Sequence, residues 1–285
     1  RTVTGVQTCA LPIFINIKTR SGSIITGHQP TRHPLSLFSP DRQHYYYLSD
    51  RIYILDTQTD EIIFSRENDH STWLSWSPDS QKIALIKDDT SKNEVSFLDM
   101  HGDERVFSIP FGGFVRSNAW SPDGTHFAIL TAYLTVMNVS TGQVIFQKEC
   151  LNSTSLCWSP DGLSLALVGR ETEIVDAQTG EQLRRSKPGI FSTWVAWSPD
   201  GQHLAVASES GFLTLDAETL QPILSIIHME TATLIWDHRK DAPLFAYGEA
   251  WRHLRWEKQD ARGQRQYVPV LIEGNPLPTP LSPSV

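Results

Sequence analysis

An all-β fold of four-stranded antiparallel sheets, repeated around an axis, is predicted by three features of the sequence. A short motif recurs: Leu37-Phe-Ser-Pro-Asp41, Ser75-Trp-Ser-Pro-Asp79, Ala119-Trp-Ser-Pro-Asp-Gly124, Cys157-Trp-Ser-Pro-Asp-Gly162 and Ala196-Trp-Ser-Pro-Asp-Gly201, with a degenerate sixth copy in Ile235-Trp-Asp-His238. Its aromatic residues Phe38, Trp76, Trp120, Trp158, Trp197 and Trp236 recur at an interval near 39, close to the roughly 40–45 residues of a four-stranded blade. The segments that follow are continuously apolar, as in Ile83-Ala-Leu-Ile86, Phe127-Ala-Ile-Leu130, Leu165-Ala-Leu-Val168 and Leu204-Ala-Val-Ala207. Strands of that kind are buried on both faces. A two-layer sandwich with a solvated outer face requires alternation instead, so the features together describe a β-propeller.

One period shows how each element arises. Trp194-Val-Ala-Trp197 is β-prone and forms the innermost strand. Ser-Pro-Asp-Gly then turns the chain: Pro fixes φ at the first corner, Asp favours the second and Gly accepts positive φ. His203-Leu-Ala-Val-Ala207 returns as the second strand, and Gly211-Phe-Leu-Thr-Leu-Asp216 is the third. A polar turn, Ala217-Glu-Thr219, leads to a fourth strand at 221–227. Third and fourth strands recur at 52–64, 95–109, 134–146 and 174–183, several joined through Thr-Gly.

The organisation of the chain follows from counting these periods. Residues 14–27 match a third-and-fourth-strand hairpin, and blades open at about Leu35, Thr72, Ser117, Ser155, Thr193 and Thr233. Six blades plus half of another favour a seven-bladed parent, with 254–257 and 267–272 as outer strands of the last blade. The alternative is a six-bladed ring in which 14–27 completes that blade. Residues 1–13 read as the conceptual translation of a sequencing adapter and are set apart as non-native; on that expectation the native start, and any export signal, precede the visible chain. The Pro-rich segment 273–285 is expected to be an extended tail.

Strand, Trp-Ser-Pro-Asp-Gly turn, strand, strand ending in Asp, Thr-Gly turn and strand together resemble the WD-repeat family and are similar to the repeats of TolB-type propellers. The resemblance covers 14 to about 267. It implies a scaffold role and, in bacteria, an upstream kinase, DNA-binding domain or membrane anchor. Two departures matter. The Gly-His dipeptide of many such repeats occurs only as Gly27-His28, and the closing Trp-Asp is replaced by Leu55-Asp56, Leu98-Asp99, Met137-Asn138, Val175-Asp176 and Leu215-Asp216. The family's His–Asp network is therefore not carried over to these positions.

Composition narrows the function classes. The 285 residues carry a net charge of -8, with 40% apolar and 20% charged residues. Phosphate recognition needs clustered Lys and Arg, and the densest basic stretch, 251–266, is broken by Glu257 and Asp260; a nucleic-acid partner is not expected. No apolar run is long enough to span a bilayer, so no membrane insertion by the visible chain is expected. Cys9, Cys150 and Cys157 show neither disulfide nor CxxC metal spacing; Cys150 and Cys157 read as buried thiols.

The candidate sites separate by position in the repeat. Asp41, Asp79, Asp123, Asp161 and Asp200 could be metal ligands, but one per blade at a turn is explained by turn chemistry. Phe38, Trp76, Trp120, Trp158, Trp197 and Trp236 could be an aromatic cage, but at blade period they are core packing. Metal-dependent propeller enzymes draw ligands from the axial end of each innermost strand. The corresponding positions, Leu35, Trp73, Ser117, Ser155, Trp194 and Thr233, are poor metal ligands and include no general base. No HExxH, GxSxG or phosphate-binding loop occurs, so no catalytic residue, metal or cofactor is assigned. On the rim opposite the Ser-Pro-Asp turns, variable loops carry His70, Trp73, Phe111, Phe114, Arg116, Phe191 and Trp194. Aromatics and Arg anchor protein interfaces, and the same residues could instead plug the channel mouth. The expected function is a cytoplasmic, non-catalytic scaffold for a protein or peptide. The alternative is an enzyme-associated or TolB-like periplasmic propeller that binds a small ligand or gates a neighbouring active site.

Overall fold

The computed structural model describes residues 17–18, 24–25, 38–48, 51–67, 71–87, 93–100, 104–109, 113–186, 191–208, 211–229, 232–247, 255–259 and 265–269. The first thirteen residues, the tail 273–285, His70 and Phe111 lie outside them. A short hairpin of β1 (Ile17–Lys18) and β2 (Ile24–Ile25) comes first. The first sheet pairs β3 (His44–Leu48), β4 (Arg51–Asp56) and β5 (Ile62–Glu67), with Phe38 bridging to Tyr45. The second sheet runs β6 (Ser71–Trp76), β7 (Lys82–Lys87), β8 (Asn93–Asp99) and β9 (Glu104–Ile109). The third is β10 (Ser117–Trp120), β11 (His126–Leu130), β12 (Tyr133–Asn138) and β13 (Val144–Glu149). The fourth is β14 (Ser153–Trp158), β15 (Ser164–Gly169), β16 (Thr172–Asp176) and β17 (Gln182–Arg185). All neighbours are antiparallel and sequential, the order expected of blades.

Consecutive sheets hide their faces against one another. Tyr46, Ile52 and Ile54 of the first sheet pack on Leu74, Trp76, Ile83 and Leu85 of the second. Ala84, Ile86 and Phe97 of the second meet Trp120, Phe127 and Ile129 of the third. Ala128, Leu130 and Val136 then meet Leu156, Trp158 and Leu165, and Ala166, Val168 and Ile174 meet Val195, Leu204 and Val206. The second strands β7, β11 and β15 are therefore buried over four or five consecutive residues. This is the physical origin of their unbroken apolar sequence. Cys150 and Cys157 are buried in these layers and form no disulfide.

The repeat Trp adds a bond that periodicity does not reveal. Trp120 Nε1–H donates to Ser75 O at 3.1 Å, Trp158 Nε1–H to Ala119 O at 3.1 Å, and Trp197 Nε1–H to Cys157 O at 3.3 Å. Each acceptor is the residue just before the Trp of the preceding sheet. In these three copies the indole thus packs as core and pins its innermost strand to the one before it, whereas the buried Trp76 Nε1–H has no acceptor among the described residues.

Both recurrent turns are built by their acidic residue. In Ser121-Pro-Asp-Gly124, Ser121 Oγ–H donates to Asp123 Oδ1 at 2.6 Å, His126 N–H donates to Ser121 Oγ at 2.9 Å and Thr125 N–H to Asp123 Oδ1 at 3.0 Å. Gly124, Gly162 and Gly201 sit at φ +68, +72 and +69, a position that Arg42 and Ser80 fill at φ 60 and 62 in the first two copies. In the turn between third and fourth strands, Asp176 Oδ1 accepts from Gln178 N–H, Thr179 N–H and Thr179 Oγ1–H at 2.9, 2.8 and 3.0 Å. Asn138 Oδ1 accepts the same three bonds from Ser140 and Thr141. The Asp or Asn that closes the third strand is thus engaged within its own turn.

This equivalence makes a prediction. The amides of Thr179 and Gln178 hold the Asp176 carboxyl below its usual range. A group with a depressed folded value contributes stability above its unfolded pKa, near 3.9, and loses it as pH falls through the folded value. Asp176→Asn keeps the Oδ1 acceptor that Asn138 already uses. Chemical denaturation should show a lower midpoint at pH 7, where the amide lacks the carboxylate's charge-assisted share of these bonds, and a shallower loss of stability below about pH 4, where variant and parent converge. An equal loss at all pH values contradicts this account.

The sixth repeat departs from expectation. The fifth sheet starts as β18 (Ser192–Trp197), β19 (His203–Ser208), β20 (Gly211–Asp216) and β21 (Pro222–Met229), but β22 (Ala232–Asp237) and β23 (Ala242–Tyr247) extend it to six strands. Ser225 faces Trp236 and Met229 faces Ala232 across β21 and β22. Trp236 therefore does not open a separate sheet. Between Pro222 and Pro243 the sequence has no Gly, Pro or Asn, so nothing interrupts two β-prone runs. The other connectors contain Asn68, Pro110 and Gly112, Asn152, or Pro188 and Gly189. The expected outer strands of a last blade appear as a separate hairpin of β24 (Arg255–Gln259) and β25 (Arg265–Pro269). Among the described residues no helix is long and apolar enough to cross a membrane.

Candidate interaction rim

The connectors that lead into the innermost strands lie at the end of the sheets opposite the Ser-Pro-Asp turns. Three consecutive ones are described around residues 113–116, 150–152 and 191, and side chains of the intervening sheets tie them together. Arg116 Nη1 donates to Leu151 O at 2.8 Å, Ser153 O at 2.9 Å and Cys150 O at 3.4 Å. Thr154 Oγ1–H donates to Ser192 O at 2.6 Å and lies 3.0 Å from Val168 O. Lys148 pairs with Glu173 between the third and fourth sheets. The rim is therefore cross-braced from sheet to sheet.

The residues expected on this rim divide into three groups. Phe114 and Phe191 are exposed, at 75% and 51%. Trp73 is not available: it is buried between the second and third sheets, 9% exposed, beside Ile86, Val95 and Val115. Arg116 is half-buried on this rim, and its Nη1 holds those three backbone carbonyls, so it braces the rim while keeping its charge there. Trp194 is half-buried, and its Nε1–H is buried with no acceptor among the described residues. Leu151, 57% exposed, belongs to the same surface and was not expected there. Its only sequence signal is its place in a short connector, one position offset from Phe114 and Phe191 in the repeat.

The opposite rim offers a groove of about 460 Å³ between the third and fourth sheets, walled by Pro122, Asp123, His126, Trp158, Asp161 and Leu163. Its carboxylates are already engaged. Asp123 is partly desolvated, which raises its pKa, yet bonds from Ser121 and Thr125 outweigh burial and hold it low. Asp161 Oδ1 accepts from Ser159 Oγ–H and Leu163 N–H at 2.6 and 3.0 Å. A carboxylate held low as Asp123 is suits a turn support better than a proton acceptor. Among the described residues no group of three or more His, Cys, Asp or Glu side chains could hold a metal ion.

No family model matches the sequence, and no curated protein matches it. Solved structures do share its fold. A eukaryotic initiation factor superposes with a TM-score of 0.57 at 14% identity, over 74% of this chain and 64% of that one. The chain thus spans less than two thirds of the initiation factor it matches. The C-terminal WD40 domain of Sif2 superposes with a TM-score of 0.57 at 14% identity, over 72% of this chain and 68% of that domain. Sheet order, face-to-face stacking and these superpositions agree: the chain has the fold of a WD40 β-propeller.

Proposed function

We propose that the chain is a non-catalytic scaffold that binds a protein or peptide through the rim carrying Phe114, Leu151 and Phe191. The observation behind this reading is that three large apolar side chains stand exposed on consecutive connectors whose backbones are braced by Arg116 and Thr154. Exposed apolar side chains on a rigid support lose little conformational entropy on binding and gain the full benefit of desolvation. Loops on a repeat scaffold are also where binding residues concentrate.

The test is a triple variant, Phe114→Ala, Leu151→Ala and Phe191→Ala, with Leu163→Ala on the turn rim as control. Leu163 is 63% exposed. Against a peptide array or a set of candidate partners, the triple variant should lose at least tenfold in affinity, about 1.4 kcal/mol, with its denaturation midpoint unchanged. Binding that survives the triple variant but fails in Leu163→Ala moves the function to the other rim. Trp73 and Arg116 are unsuitable for such a test, because their replacement attacks the core and the brace.

A further inference from the structure

We propose that the β22–β23 hairpin exchanges between two seats: the edge of β21, where it extends the fifth sheet, and the open face of that sheet, where it stacks as the next blade. The fifth sheet keeps the surface that the earlier ones use for stacking. At Ala119, Ala128 and Val136 of the third sheet and Cys157, Ala166 and Ile174 of the fourth, that surface is buried under the following sheet. The equivalent Ala196, Ala205 and Thr214 of the fifth remain partly exposed.

The hairpin carries what the open face lacks. Trp236 follows Trp197 by the repeat interval, and the ladder of indole bonds from Trp120, Trp158 and Trp197 designates Ala196 O as its acceptor. The chain is long enough to reach. Twenty residues separate Asp216 from Trp236, as they do Asp56 from Trp76 and Asn138 from Trp158. The edge seat makes six backbone pairs from Leu224–Asp237 to Met229–Ala232, whereas the stacked seat covers an apolar face. Backbone pairing and apolar burial are of comparable strength, and the connector contains no residue that forbids either. Exchange makes β21 alternately a covered strand and a free sheet edge, the feature through which strands recruit other chains.

The test places a thiol on the open face of the full chain with Ala205→Cys. Maleimide labelling is followed at that residue by peptide mass spectrometry, so that Cys150 and Cys157 do not interfere. With nine molecules in ten stacked, labelling slows about tenfold relative to the urea-unfolded chain, and adding Trp236→Ala restores the fast rate. Fast labelling in Ala205→Cys alone overturns the proposal, and so does slow labelling that Trp236→Ala leaves unchanged. If Ala205→Cys does not fold, amide exchange on the unaltered chain decides. Exchange between seats opens the 224–229 amides about tenfold faster than those of β19 and β20; equal protection in the two regions overturns it.

Discussion

Trp120→Ala should be among the most damaging single substitutions in the chain, lowering stability by about 3–5 kcal/mol in urea denaturation. Trp120 is 1% exposed and meets Phe97 and Phe127 edge-on, with ring centroids 5.2 and 5.1 Å away. Its removal leaves a cavity between two sheets that are both held in place by further neighbours, so collapse is resisted. Trp120→Phe separates the two roles of the indole. It retains much of the volume but leaves Ser75 O without its 3.1 Å donor, and should cost clearly less, about 1–3 kcal/mol. If Phe costs as much as Ala, the bond to the preceding sheet matters more than the packing; if Phe costs nothing, the ladder is incidental. Phe38, the aromatic of the first copy, has no N–H to donate, so the first sheet lacks this link by composition.

The sequence made the architecture legible where each signal had one physical cause. Continuous apolar second strands arise only when both faces are covered, and Ser-Pro-Asp-Gly specifies one turn, so the first five repeats fell where their motifs put them. Trp236 shows the limit. A local motif states what a strand can pack against but not which of two nearby edges captures it, and that competition depends on the absence of breakers around Glu230. The rim was legible in location and only partly in content. Phe114 and Phe191 were visible as large residues in variable loops. Trp73 and Arg116 looked equivalent to them by type, but Arg116 lies two repeat positions further along and reaches neighbouring carbonyls, and Trp73 lies three further and turns into the core. Leu151 had only its connector position as a signal, because a lone Leu there is ordinary until its exposure is known.

Gly142→Ala should cost about 2–4 kcal/mol, combining two penalties that a double-mutant cycle can separate. Gly142 adopts φ +71 in the turn after β12, where an L side chain is strained. An added Cβ would also lie 2.1 Å from Cδ1 of Phe107, on the outer strand of the preceding sheet. The same contact joins Gly180 to Phe146 of the sheet before it, at 2.5 Å. The repeat itself contains the compensated alternative. Where the glycine position holds Leu220, buried in the layer between the fourth and fifth sheets, the outer strand of the preceding sheet has Arg184 at the place of Phe146. There the opposing side chain is an exposed Arg184 instead of a packed ring, and Leu220 is accommodated even at φ 55. Phe107→Ala alone should destabilise through lost burial, but Gly142→Ala in that background should cost only the backbone part, about 1–2 kcal/mol. A cycle with no coupling would mean that the ring moves aside freely, and that the interface between consecutive sheets is looser at its outer margin than the alternation of Phe with Gly and Arg with Leu implies.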